Sequence, residues 1–177
     1  MDSDTIAAAF PSTIQCPAEI RALCDWTTAN GYPISGYFEL RDHDDETLRC
    51  WFGTERAIGD LAQFGAGADG SLYCVWRSPD GSFPIVHLGS EGDAILVLSP
   101  NAVDFLRLLA IGYDEIGFAD LASPPTDEDR DENVNPTFQA WVTETFGVVI
   151  PDTGVEIFDL DAPKHAALQK WIDERCG

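Results

Sequence analysis

The sequence predicts an α+β domain in which helices pack on an antiparallel or mixed sheet of about five or six strands. Three observations lead there. Between Ser71 and Leu98 the runs Ser71–Arg77, Phe83–Leu88 and Asp93–Leu98 are rich in β-branched and aromatic residues, and only the clusters Ser78-Pro-Asp-Gly-Ser82 and Gly89-Ser-Glu-Gly92 separate them. Connections that short cannot carry a parallel crossover, so these runs pair as a meander. Before and after the meander, apolar residues recur at helical spacing: Ile20, Leu23 and Cys24, then Val103, Leu106 and Leu109, then Phe138, Trp141 and Val142. Finally, 177 residues with 45% hydrophobic side chains suit one domain, residues 1–177, with a real core.

In chain order, residues 1–16 read as a loose N-terminal arm. Pro17-Ala-Glu opens a helix with Ile20, Leu23, Cys24 and Thr27 on one face, closed by Asn30-Gly31. Ile34–Arg41 reads as a strand in which Phe38 and Leu40 alternate with Glu39 and Arg41. Asp42-His-Asp-Asp-Glu46 is then a polar turn and Thr47–Phe52 its hairpin partner, with Leu48, Cys50 and Phe52 on one side and Arg49 and Trp51 on the other. Ile58, Leu61 and Phe64 fall at a helical interval and predict a helical turn or two within Gly53–Gly70. The glycine-rich end of that segment lacks the Lys-Ser/Thr of a P-loop and leads into a strand, which argues against nucleotide binding.

In the first turn of the meander, Pro79 presets its own φ, Asp80 bonds to the backbone ahead and Gly81 takes a positive φ. Ser99-Pro100 predicts a helix start, with Ser99 as N-cap and Gly112 as the stop. Residues 122–135 form an acidic loop with two prolines, whose like charges keep it extended and solvated. Asn135-Pro136 starts another helix that Gly147 ends. Val155–Leu160 reads as a last short strand, and Asp161 caps a final helix with Ala167, Leu168, Trp171 and Ile172 facing inward. No internal repeat is present.

Phe64-Gly65, Gly70, the Tyr73–Trp76 strand, Pro84-Ile-Val through Leu88-Gly-Ser-Glu-Gly92 and the Asp104-Phe-Leu-x-Leu-Leu helix together resemble the SUKH superfamily, also called the Smi/Knr family. What matches is an order of strands, turns and a helix with a few set glycines and aromatics. The resemblance implies an immunity protein that binds and neutralises a cognate secreted toxin domain, many such toxins being nucleases. It also leaves open a regulatory scaffold of the cell-wall assembly type, the role ascribed to eukaryotic members.

The formal net charge of -21 argues against nucleic acid as a ligand and favours a basic protein partner, although solubility or a salty habitat would also account for it. The only lysines, Lys164 and Lys170, fit an arginine-biased genome equally well. Five cysteines without a C-x-x-C pair predict reduced thiols, hence a cytoplasmic protein. Met1-Asp-Ser-Asp is negative where a secretory leader would be positive, and no run is long and apolar enough to span a membrane.

Candidate chemistry is sparse. His43 in its acidic turn and His165 near the start of the last helix read as surface residues, whereas His87 and Cys74 on neighbouring strands would allow a Cys-His hydrolase if the register suited. Asp42–Glu46 lacks the glycine and distal glutamate of a calcium loop. Neither a catalytic residue nor a metal ligand nor a cofactor is expected, and the protein is read as a non-enzyme. Partner binding is assigned to Asp127, Glu128, Asp129, Asp131 and Glu132 on the acidic loop, then to Asp44, Asp45 and Glu46, with Trp51 as an exposed aromatic anchor. Trp26, Trp76, Trp141 and Trp171 are assigned to the core.

Overall fold

A computed structural model describes residues 2–177. Five strands, β1 (Glu39–Leu40), β2 (Leu61–Ala66), β3 (Leu72–Trp76), β4 (Ile85–Leu88) and β5 (Leu96–Ser99), pair antiparallel in sequence order. Seven α-helices surround them among the described residues: α1 (Ser3–Ala9), α2 (Ala18–Asn30), α3 (Asp45–Phe52), α4 (Ala102–Ala110), α5 (Asp127–Asn133), α6 (Pro136–Phe146) and α7 (Pro163–Asp173). The expected α+β class is therefore correct.

Both faces of the sheet are covered. On the larger side Ala62, Phe64, Tyr73, Val75, Ile85 and Leu98 pack with apolar residues of α1, α2, α4 and α6. On the smaller side Leu61, Cys74, Trp76, Val86 and Val97 pack with Leu48 and Phe52 of α3 and Leu168, Trp171 and Ile172 of α7. Coverage of both faces explains why all of β3 is buried and its sequence reads as an unbroken apolar run. Aromatic rings hold the larger core: Phe38 meets Tyr73 edge-on at 5.1 Å and Phe105 at 5.6 Å, contacts worth about 0.5–1.5 kcal/mol each beyond the area they bury. A Cβ at Gly65, beside the β2 bulge, would overlap the Phe38 ring.

The meander turn forms as its residues dictate. Asp80 accepts from the Ser82 amide at 2.9 Å and the Ser82 hydroxyl at 2.6 Å, and these bonds pull its carboxyl down to about 2. Gly81 takes φ +84. Asn135 caps α6, accepting from the amides of Thr137 and Phe138, with Pro136 in its first turn and Gly147 left-handed at its end.

Several expectations need correction. The N-terminal arm is folded: Asp2 accepts from the amides of Asp4 and Thr5 to start α1, and Ile6, Phe10 and Ile14 are buried; Met1 lies outside the described residues. The Ile34–Arg41 strand shortens to β1, although Ile34, Phe38 and Leu40 are all buried. Thr47–Phe52 is helical, because Asp44 accepts from the Glu46 and Thr47 amides and Gly53 closes the helix at φ 67. Leu48 and Phe52 satisfy a period of four as well as one of two, and capping decides between them.

Leu61–Phe64 is strand and not helix, since β2 lies between β1 and β3 with both faces covered. Ser99 stays in β5 and its hydroxyl donates to Asn101, which is the true cap of α4. The acidic loop contains α5. Val155–Leu160 is no strand: a 3-10 turn at Gly154–Glu156 replaces it, and Leu160 is exposed. Ala162, rather than Asp161, precedes α7, and Ala167 is exposed.

Candidate functional site

The residue order Thr126-Asp-Glu-Asp129 builds α5 from its own side chains. Thr126 Oγ1 accepts from the Asp129 amide at 3.1 Å, and Asp129 Oδ2 accepts in return from the Thr126 amide at 3.1 Å and its hydroxyl at 2.7 Å. This is a capping box. Asp127, Glu128 and Asp129 also lie at the helix N-terminus, where the backbone dipole favours negative charge. The helix buries none of its residues. Asp127, Glu128, Asp131 and Glu132 are exposed and make no ion pair among the described residues. Asp129 differs from its neighbours, being half-buried and engaged in the cap.

The second acidic group is differently employed. Asp44 caps α3, and the Glu46 amide followed by the Thr47 hydroxyl holds its carboxyl below the usual range. Asp45 Oδ1 lies 3.0 Å from His43 Nε2, and Glu46 pairs with Arg49. His43 is not solvated as expected: its side chain is 5% exposed, and Nδ1 accepts from the Gln63 amide at 3.2 Å. That bond places the ring proton on Nε2, facing Asp45. Trp51 is likewise no free anchor. Its Nε1 donates to the Gly89 carbonyl at 2.9 Å and its ring lies 4.6 Å from that of Phe52, leaving it half-buried over the smaller core.

The register separates Cys74 from His87. Tyr73 stands opposite His87 and Cys74 opposite Val86, so the thiol and the imidazole leave the sheet on opposite faces and form no dyad. Cys74 is enclosed in the smaller core, where burial pushes its thiol up. His165 is also a correction: Nδ1 accepts from the Val97 amide at 3.2 Å and Nε2 donates to the Asp159 carbonyl at 2.8 Å, covering part of the outer edge of β5.

Sequence reasoning missed one polar cluster altogether. His87 is 0% exposed, its Nδ1 bonded to the Ala94 carbonyl at 2.7 Å and its ring between Tyr73 at 5.1 Å and Phe118 at 5.9 Å. Burial lowers its pKa, opposed by the Ala94 bond and by Asp69 and Asp93. Nearby, Glu115 Oε1 accepts from the Ala68 amide at 2.7 Å, and burial raises its carboxyl. A Cβ at Gly67 would sit 2.5 Å from Ser71 Oγ and 2.7 Å from Glu115 Oε2, and one at Gly117 would overlap the His87 ring. Residues from three separate segments meet there, and no motif announces them. Phe118, half-exposed itself, lies across the imidazole.

Among the described residues, no group of three or more His, Cys, Asp or Glu side chains could hold a metal ion, and no helix is long and apolar enough to cross a membrane. Comparison with family models, with curated proteins and with solved structures finds no match to this chain.

Proposed function

We propose that this protein is a SUKH-type immunity protein, a cytoplasmic and non-catalytic module that binds one cognate secreted toxin domain of basic character and blocks it by occlusion. The observation that carries the reading is α5. A helix that buries none of its side chains presents four carboxylates that make no ion pair among the described residues, in a chain whose net charge is -21. Such carboxylates retain their interaction energy for a partner, because no cation among the described residues is paired with them. The residues that carry the resemblance, between Phe64 and Leu109, fall on β2, β3, β4 and α4 and on turns beside them, and they support the same reading.

A nuclease must be cationic where it grips phosphates, so an acidic helix that occupies that surface competes with its substrate. Charge of this kind acts mainly on encounter, raising association rates toward the order of 10⁸ M⁻¹s⁻¹ at low salt. The test is co-expression with the C-terminal domain of the polypeptide encoded beside the gene, followed by binding measurements on the pair. Growth rescue is expected, with an association rate that falls steeply as the Debye length shrinks from about 30 Å at 0.01 M to about 3 Å at 1 M ionic strength. A complex indifferent to salt would overturn the electrostatic mechanism, and failure to bind any neighbouring product would overturn the immunity reading.

A further inference from the structure

We propose that the groove between α6 and the return segment 147–152 seats an apolar segment of the partner flanked by lysine or arginine; this rests on the function proposed above. The open groove has a volume of about 710 Å³, and Ile111, Val134, Ala140, Val149 and Pro151 supply its apolar lining. Val149 is 76% exposed, and Arg107 Nε fixes its backbone by donating to its carbonyl at 2.8 Å. Arg107 is in turn held by Asp104 at 2.7 Å. The Arg107 bond to Val149 ties the backbone of the lip to α4, and a preformed cleft costs a ligand less than one that must open.

The charge around the groove selects the occupant. Glu144 and Asp152 line it, and neither makes an ion pair among the described residues. The one lining cation, Arg130, has its Nε on the Pro125 carbonyl at 3.2 Å and sits within α5 among Asp127, Glu128, Asp131 and Glu132. A second copy of this chain would bring another net charge of -21 to the same place. Like charge opposes that association, whereas a segment with apolar side chains for the cleft and cations for its rim is complementary on both counts.

The test uses the full chain and three synthetic amphipathic peptides of equal length: one of leucine and arginine, one with alanine for leucine, one with glutamate for arginine. Amide shift mapping by NMR is expected to place the leucine-arginine peptide at Ala140, Thr143 and Val149, with both others at least about tenfold weaker. Ala140→Arg, on the exposed side of α6, and Val149→Ser, at the lip, are each expected to weaken that peptide by a similar factor while the fold is retained. Equal binding of the alanine-arginine peptide, or shifts confined to α5, would overturn the groove and leave the electrostatic reading standing. Equal binding of the leucine-glutamate peptide would overturn the cation requirement at the groove, while the salt dependence of the complex separately tests steering by α5.

Discussion

Two acidic stretches of this chain, Asp42–Glu46 and residues 122–135, both read as solvated connections, and each supplies the side chains that start a short helix. Their carboxylates nevertheless have different occupations. In α3, Asp44 caps, Asp45 meets His43, Glu46 pairs with Arg49, and Leu48 and Phe52 bury the helix against the sheet. In α5 only Asp129 has such a task, and nothing is buried. Acidic composition thus says little about availability: a carboxylate is open to a partner only where the fold gives it no other bond.

The largest test of that contrast is Phe52→Ala. Removing a side chain 2% exposed and packed on Trp171 at 5.9 Å is expected to cost about 3–5 kcal/mol in denaturant unfolding. Asp131→Ala in α5 is expected to stay within about 0.5 kcal/mol of the parent protein; comparable losses at the two positions would erase the distinction. Next, the combined variant D127N/E128Q/D131N/E132Q is expected to slow association with a cationic partner about tenfold or more at low salt with an unchanged Tm. The variant D45N/E46Q is expected to lower Tm and leave the association rate nearly as it was. Reversal of that pattern would move the interface to α3.

Acid also separates an enclosed region from a solvated one. Burial holds the His87 pKa below its ordinary value of 6.5, so below 6.5 the unfolded chain takes up the proton first. The stability that the neutral imidazole contributes is complete above 6.5 and is lost as pH falls through the lowered folded value. Glu115 works with the opposite sign: its carboxyl is raised above 4.5, so its contribution is present below 4.5 and lost as pH rises through the folded value. The fall in Tm between pH 7.5 and pH 5.5 is expected to shrink in His87→Asn and to persist in the α5 variant; an identical fall in His87→Asn would show that the imidazole is not its source. The smallest effect on global stability is expected from Thr126→Ala, which removes a cap worth about 1 kcal/mol from a helix that buries none of its residues. Amide exchange in α5 is expected to quicken while Tm holds, and a drop in Tm would mean that α5 is coupled to the core.

The meander and α6 were legible because their signals are local. Pro79-Asp-Gly81 and Asn135-Pro136 act within a few residues of themselves. β2 was not legible, because a strand covered on both faces has no alternation, and Ile58, Leu61 and Phe64 fell at a helical interval by coincidence. α3 offered two periods at once through Leu48, Cys50 and Phe52. At the candidate site, the exposure of Asp127, Glu128, Asp131 and Glu132 followed from composition. The half-burial of Trp51 did not, because it depends on a carbonyl supplied by Gly89. The opposite facing of Cys74 and His87 depends on a register that neither strand carries alone.

By itself, the sequence determined the charge, the strand-turn-strand order of the middle and the cap and stop of α6, since each follows from composition or from bonds reaching only a few residues along the chain. The covering of both sheet faces, which acidic groups are already bonded, and the approach of Ser71 to Glu115 and of His87 to Gly117 were decided only when distant segments came together. Burial and ion pairing depend on the neighbour across the fold, and that neighbour is set by packing rather than by position along the chain.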